Sequence, residues 1–220
     1  MTRPSPTHFL CIPLINSLSR TQLDVSLNRL RDAAVALRIP RKAFRPIGTL
    51  HLTLGVMDLK EGSRLKEAIR LLNGPEIAQT IRDMISRESR LTCNLKSLST
   101  MRSPSNTSVV YIHPEDTASR LLPLCQRFQE IFKSSGFIIP ENRPLRLHAT
   151  VINTRYVSKG NFPPKIDATS IVRQFKEEIW AENVALERLA ICKMGTEKVL
   201  DPTGAVIDEQ YRVVAYVNFA

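Results

Sequence analysis

The sequence predicts an α+β fold in which antiparallel sheets are flanked by helices and the two halves of the chain are pseudo-repeats. Three observations lead to this prediction. Strand-like and helix-like segments follow the same order in both halves, and each half contains one His-x-Thr strand. The predicted strands 91–100 and 107–113 are too close in sequence for a parallel crossover, so they pair as neighbours. We expect residues 1–220 to form a single domain with two lobes.

The first half of the chain opens with an apolar strand and an amphipathic helix. Residues 8–15 predict the strand, and Ser19-Arg-Thr-Gln22 has the capping-box pattern that begins a helix. Apolar residues then recur at helical spacing until Pro40. Residues 49–57 alternate as a strand, and two helices separated by Asn73-Gly74 follow it.

The second half repeats this order. A helix is predicted from about Asp116 to Ser135 because one stripe of the segment is apolar and Gly136 follows it. The other predicted elements are the paired strands 91–100 and 107–113, a strand over 145–152, a loop over 157–164, a helix over 167–179, and closing strands over 185–194 and 211–219.

Composition points to a basic globular protein. Thirty-one Lys and Arg against twenty-one Asp and Glu leave a net charge of +10, a field that attracts RNA or nucleotides. There is no apolar run long enough for a bilayer and no signal-peptide pattern, so we expect a cytoplasmic or nuclear monomer without membrane contact. The four cysteines are scattered, without metal-ligand spacing, so we expect reduced core residues, no metal and no cofactor.

Two of the four histidines share one local pattern. Leu50-His51-Leu52-Thr53-Leu54 and Leu147-His148-Ala149-Thr150-Val151 both place a threonine two residues after a histidine. Alternation along a strand sends both side chains to one face. Two such pairs facing each other supply a general base, a general acid and two hydroxyl donors, which suffices for metal-independent phosphodiester cleavage.

We therefore expect the imidazoles of His51 and His148 to converge across a cleft from central strands, with Thr53 and Thr150 contacting phosphate. The pattern leaves open which histidine is the acid. His8 and His113 lack the following threonine, and we expect structural roles for both.

Three residues near the second motif are further candidates for substrate binding. Arg146 shares the cleft face by alternation, and Arg155 and Tyr156 follow the strand, where they would meet a phosphate or stack on a base. The alternative is that all three are ordinary surface residues. For the basic connector that contains Arg41, Lys42 and Arg45, we expect a solvated loop, with supplementary RNA binding as the alternative.

The two motifs resemble those of the two-histidine phosphoesterase superfamily. The resemblance rests on His51-Leu-Thr-Leu-Gly-Val-Met57 and on Leu147-His148-Ala-Thr-Val-Ile-Asn-Thr154, with a late strand around Ile191-Cys-Lys-Met-Gly195, and extends from about Phe9 to the end. The sequence is most similar to the eukaryotic branch that contains the central domain of a kinase-anchoring protein and the ligase-like domain of an activating signal cointegrator complex subunit. The resemblance implies a bilobal fold in which two antiparallel sheets flanked by helices are related by pseudo-twofold symmetry around a central cleft. It also implies catalytic roles for His51 and His148, and phosphate contacts for Thr53 and Thr150.

Two functions from different classes follow. The leading hypothesis is an enzyme that hydrolyses RNA ends, 2',5'-linked or 2',3'-cyclic nucleotide phosphates. The alternative is a non-catalytic nucleotide- or RNA-binding module that serves as a partner in a transcription or repair cointegrator complex. The intact histidines and threonines favour the enzyme, and a ligase is disfavoured because no phosphate-binding loop is visible.

Overall fold

The strands form two antiparallel sheets of four strands each in the computed structural model, which describes residues 5–35, 37–85, 90–157 and 162–219. Sheet A has the order β2-β1-β7-β8 and sheet B the order β5-β4-β3-β6. The strands are β1 His8–Pro13, β2 His51–Met57, β3 Thr92–Thr100, β4 Val109–Glu115, β5 Ala149–Asn153, β6 Ile179–Ala185, β7 Arg188–Leu200 and β8 Val206–Asn218. The predicted α+β class with paired antiparallel sheets is confirmed.

The helices lie on one side of the sheets and share a core with both of them. They are α1 Ser17–Val35, α2 Gly62–Leu72, α3 Pro75–Met84, α4 Leu121–Ser134 and α5 Thr169–Gln174. Leu10 and Leu52 from sheet A belong to the same buried cluster as Ile112 and Val151 from sheet B, with Phe128 of α4 among them. Phe9, Cys11, Ala190 and Cys192, on β1 and β7, form a second, smaller buried cluster.

Sheet A is curled, because its last strand reaches back to the segment before β2. Gly48, in a 3-10 turn over Ile47–Thr49, donates its backbone N–H to the Asp208 carboxylate of β8 at 3.0 Å. Asp208 also pairs with Arg20 at 2.8 Å. These contacts hold the segment before β2, one edge strand of sheet A, against β8, the other edge strand.

Two helix starts differ from the prediction for the same physical reason, a side-chain cap placed elsewhere. Helix α1 begins at Ser17 because the Asn16 side chain accepts from the backbone N–H groups of Leu18 and Ser19, and Ser19 in turn accepts from the Asn16 N–H. Helix α4 begins at Leu121 because the Asp116 carboxylate accepts from residues 118, 120 and 121, which holds the preceding turn out of the helix.

The closing strands also differ from the prediction. The helix expected over 167–179 ends at Gln174, and a strand that the sequence analysis missed, β6, follows it. Strands β7 and β8 form a longer hairpin than predicted. Of the predicted loop 157–164, residues 158–161 lie outside the described residues. Within the described ranges, no helix combines the length and apolar character needed to cross a membrane.

Candidate active site

The two His-x-Thr strands meet as the facing edges of the two sheets. Strand β2 is the outermost strand of sheet A, β5 is the outermost strand of sheet B, and the two contact each other. The expectation that these strands are central is therefore wrong. A cleft between two sheets is bordered by their facing edges, and the connector before β2 extends the contact through an antiparallel bridge between Phe44 and Ile152.

His51 is fixed at the first position of β2. Its Nδ1–H donates to the carbonyl oxygen of Thr49 at 2.7 Å, and its Nε2 lies 2.9 Å from the hydroxyl of Thr53. The ring packs against Phe9 at 4.8 Å and against the edge of Tyr211 at 5.2 Å, measured between centroids. The backbone bond selects one tautomer and leaves Nε2 as the nitrogen that is available for proton transfer.

His148 is held in the same manner in the other half. Its Nδ1–H donates to the carbonyl oxygen of Arg146 at 2.7 Å, again two residues upstream, and its ring packs on Tyr111 at 5.3 Å between centroids. Thr150 is half-buried and pairs with Tyr111 across the ladder. The regular strand begins only at Ala149, so residues 145–148 of the predicted strand are extended chain outside the ladder.

A bulge follows each threonine at the same position. In sheet A, Thr53 pairs with Cys11 while Gly55 pairs with Leu10, which leaves one extra residue in β2. In sheet B, Thr150 pairs with Tyr111 while Ile152 pairs with Val110. Bulges re-aim side chains and are frequent beside active sites. Here they give both motifs one local geometry, as the pseudo-twofold relation predicts.

Burial and nearby cations lower the pKa of both imidazoles. Burial lowers the pKa of His51 to about 4; the Thr49 carbonyl opposes this shift, and the nearby His148 and Arg45 add to it. Burial also lowers the pKa of His148, and the cations Arg146 and Arg143 and the ring of His113 lower it further. His51 therefore lies within electrostatic range of His148, and its lowered pKa keeps it neutral near pH 7 in the free protein.

Arg45 and two tyrosines border the cleft beside His51, and the sequence analysis did not place Arg45 there. The Arg45 side chain is 7% exposed, its guanidinium lies 3.8 Å from the centre of the Tyr156 ring, and it donates to the Tyr211 hydroxyl at 3.3 Å. Arg41 and Lys42 are exposed, as expected for a solvated loop. For Arg45 this expectation is wrong, because the connector folds between the sheets: the Arg45 N–H donates to the Val151 carbonyl at 2.8 Å.

The other candidate residues and the two remaining histidines differ in their exposure and in their contacts. Arg146 is exposed but close enough to lower the pKa of His148. Arg155 is exposed, and its backbone N–H donates to the Asn153 side chain. His113, expected to be structural, is exposed and also near His148. His8 is buried, and its ring bonds with the Thr7 hydroxyl at 3.0 Å.

A small cavity lies within the curl of sheet A beside His51. Its volume is about 130 Å³, and Phe9, Cys11, Cys192 and Tyr211 are among its lining residues. All four cysteines are free and buried, as predicted. Among the described residues, no group of three or more His, Cys, Asp or Glu side chains is arranged to hold a metal ion.

Comparison with solved structures shows the fold that these elements build. A crystal structure described as a phosphoesterase has a TM-score of 0.56 and 18% identity, with 97% of this chain and 98% of that chain covered. Escherichia coli LigT, crystallised with 3'-AMP, has a TM-score of 0.56 and 17% identity, with 97% of each chain covered. The pair of four-stranded sheets with its helices is therefore the fold that this phosphoesterase and LigT also have.

Sequence relatives agree with this assignment. An uncharacterized protein of Schizosaccharomyces pombe is 27% identical over 177 residues, 80% of this chain and 81% of that protein. Mouse activating signal cointegrator 1 complex subunit 1 is 32% identical over 108 residues, 48% of this chain but 30% of that protein. A family model, the AKAP7 2'5' RNA ligase-like domain, matches residues 6–214. The chain belongs to the AKAP7 2'5' RNA ligase-like domain family, as the resemblance of its two His-x-Thr motifs implied.

Proposed function

We propose that this protein is a metal-independent phosphodiesterase that acts on RNA ends or on 2',5'-linked or 2',3'-cyclic nucleotide phosphates. One observation carries the proposal: β2, which begins with His51, contacts β5, which directly follows His148, and each imidazole is held through Nδ1 by a carbonyl two residues upstream. Each imidazole therefore offers Nε2 to one shared phosphoryl group, which is the geometry that acid–base catalysis requires.

The electrostatics favour His51 as the general base. With a pKa of about 4, its imidazole is neutral at pH 5 and above and accepts the proton of the attacking water or ribose hydroxyl as the new P–O bond forms. His148 then donates a proton to the leaving oxygen as the other P–O bond breaks. The substrate phosphate supplies the negative charge that favours a protonated His148 in the complex.

The threonines and nearby cations complete the proposed site. The hydroxyls of Thr53 and Thr150 would donate to the non-bridging phosphate oxygens, where charge builds up in the transition state. Arg146 adds a cation beside His148. These groups supply the positive charge and hydrogen bonds that a metal ion would otherwise supply.

The distribution of charge along the chain supports RNA as the substrate that carries these phosphate groups. Between residues 90 and 176, Lys and Arg outnumber Asp and Glu by more than two to one, whereas the rest of the chain is close to balanced. Arg102, Arg155 and Lys165 are exposed at the end of sheet B where β3 turns into β4 and β5 ends. We call these three residues the basic edge. Among the described residues, none of the three has an ion-pair partner.

Tyr156 lies between the cleft and the basic edge. It directly follows Arg155, its ring is 48% exposed, and Arg45 covers one face of the ring. The other face is an aromatic platform on which a base of a single strand would stack. We propose that RNA enters over Tyr156 with its backbone along the basic edge.

A substrate panel tests the proposed activity. Oligonucleotides with 2',5' and 3',5' linkages and nucleoside 2',3'-cyclic phosphates are incubated with the protein, and the products are identified by mass spectrometry. We expect hydrolysis of at least one class with a defined regiochemistry. If no member of the panel turns over while oligonucleotides still bind, the phosphodiesterase proposal fails.

Activity should survive complete chelation of divalent metal ions. The described residues form no cluster of metal-ligating side chains, and the proposed site works with imidazoles, hydroxyls and guanidinium groups. The measurement compares turnover before and after dialysis against EDTA. A loss of turnover that added Mg²⁺, Mn²⁺ or Zn²⁺ restores would contradict the proposed mechanism.

The pH profile of kcat/KM should be bell-shaped with its maximum on the acidic side. As pH falls toward about 4, His51 takes a proton and can no longer act as a base, so the rate falls. As pH rises, His148 loses its proton at a pKa that lies below the ordinary value of about 6.5. The maximum should therefore lie between these limits in the free protein.

Arg146→Gln provides a test of the alkaline limb. Because the Arg146 cation lowers the pKa of His148, its removal should shift this limb to higher pH. Arg155→Gln, the same change in charge at the other end of β5, should leave the limb in place. An unchanged limb in Arg146→Gln would contradict the assignment of His148 as the acid.

A second candidate function is a binding module in a protein complex. The similarity to the mouse cointegrator complex subunit favours it, although this chain spans 30% of that protein. The two proposals differ in one readout: a binding module keeps its nucleotide affinity and partner binding when both histidines are replaced, and has no turnover to lose.

A further inference from the structure

Arg45 is a buried cation at the junction of the two sheets. Its backbone bonds to β5, its guanidinium packs on Tyr156 after β5, and its Nη2 donates to Tyr211 of β8. Only 7% of Arg45 is exposed to solvent. Arg45 therefore contacts side chains from both sides of the cleft.

No carboxylate compensates this charge within the described parts of the chain. The ion pairs recorded there involve Arg20, Arg29, Lys96 and Arg143, and none involves Arg45. A hydroxyl and an aromatic face stabilise a guanidinium only partly, and burying an unpaired charge is unfavourable unless an anion or water completes its environment. The same cation lowers the pKa of His51, so it lies close to the proposed active site.

Among the described residues, the hydrogen-bond and ring partners of the Arg45 side chain are Tyr211 and Tyr156, and not the four groups assigned to the phosphate that is attacked. His51 packs against the ring of Tyr211, whereas Arg45 bonds to the hydroxyl at the tip of that ring. Thr53 bonds with His51 instead. Arg45 thus meets the hydroxyl end of the Tyr211 side chain, whereas His51 meets its ring.

We propose that Arg45, together with the Tyr211 hydroxyl, forms a second anion site that binds a phosphate group of the substrate other than the one that is attacked. The planar guanidinium has five donors, and only its Nη2 is bonded to the Tyr211 hydroxyl, which also interacts with Tyr156. Nε and Nη1 are left to make the paired hydrogen bonds that match phosphate oxygens. The inference rests on the proposed function, and it specifies substrates that carry two phosphates.

Binding of small nucleotides tests the site without any need for turnover. Calorimetry measures the affinity of adenosine 3',5'-bisphosphate and adenosine 2',5'-bisphosphate against the 2'-, 3'- and 5'-monophosphates. We expect the bisphosphates to bind about 10- to 100-fold more tightly, the gain that a charge-assisted pair of hydrogen bonds provides. In Arg45→Met this advantage should fall to near onefold, whereas Lys42→Met, the same change on the exposed part of the connector, should keep it.

Milder variants cover the case in which Arg45→Met does not fold. Arg45→Lys keeps the positive charge but loses the planar pair of N–H donors of the guanidinium, and Tyr211→Phe removes only the hydroxyl. Both should reduce the bisphosphate advantage and leave monophosphate affinity within about twofold, with folding checked by thermal unfolding. Equal affinity of mono- and bisphosphates for the wild-type protein, or a bisphosphate advantage that persists in folded Arg45 variants, would overturn the second site. Neither outcome depends on whether the protein hydrolyses phosphodiesters.

Discussion

We expect His51→Ala and His148→Ala each to lower kcat on the authentic substrate by about 10²- to 10⁴-fold, the range for loss of a positioned proton-transfer group. Both imidazoles are held through Nδ1 and have one nitrogen left for the reaction, so alanine leaves no substitute donor or acceptor. Steady-state kinetics on the substrate found by the panel measure the effect.

The double variant should be little worse than the more damaging single variant. If the two histidines act in one proton relay, removal of either group already abolishes the concerted step, so their effects are non-additive. Thr53→Ala and Thr150→Ala are the matched comparison: each removes one hydrogen bond to phosphate and should cost about 1.5 to 3 kcal/mol in transition-state binding. The threonine variants should therefore be milder than the histidine variants.

Binding separates recognition from chemistry in these variants. Nucleotide affinity should persist in His51→Ala and His148→Ala, because the threonines and the cations of the cleft remain. If either folded variant turns over the substrate at the wild-type rate, the enzyme proposal fails and the binding-module proposal replaces it.

The motif pattern predicted the centre of the site because alternation in a strand is a local rule. His51 and Thr53 share a face of β2 whatever the sheet does elsewhere, whereas His148 directly precedes β5, the strand that contains Thr150. The repeated motif predicted the pseudo-twofold fold, since each half must build the same strand at the same place. Burial of the leucines beside His51 followed from the same alternation.

What sequence could not predict depends on contacts between distant segments. The motif strands lie at the edges of their sheets because each has one neighbouring strand: β1 pairs with β2, and β4 pairs with β5. Arg45 is in a connector whose composition resembles a solvated loop, and its burial arises only when the connector bridges to Ile152 and when Tyr211, far along the chain, reaches it. The symmetric bulges after Thr53 and Thr150 likewise require the register of the partner strands.

Binding of single-stranded RNA should be strongly dependent on salt. Each phosphate that Lys or Arg neutralises releases condensed counterions, and about four such contacts give a slope of about −2.8 in log affinity against log salt, or a roughly 50-fold loss between about 50 and 200 mM salt. Because Lys and Arg are in excess between residues 90 and 176, we expect most of these phosphate contacts in the part of the chain that contains β3, β4 and β5. Fluorescence anisotropy with a labelled oligonucleotide measures the slope.

The basic edge gives this prediction a location. Arg102→Glu combined with Lys165→Glu should weaken oligonucleotide binding and reduce the salt slope by about 1.4, because two phosphate contacts are lost at about 0.7 each. Mononucleotide affinity should change little, since one nucleotide in the cleft does not extend to these residues. Lys66→Glu, an exposed reversal of charge on α2, is the control for net charge alone. If Lys66→Glu and Lys165→Glu, each as a single variant, have equal effects, the overall positive field attracts RNA and not a defined path on the surface. If the affinity is the same at low and physiological salt, the net charge of +10 has no role in RNA capture.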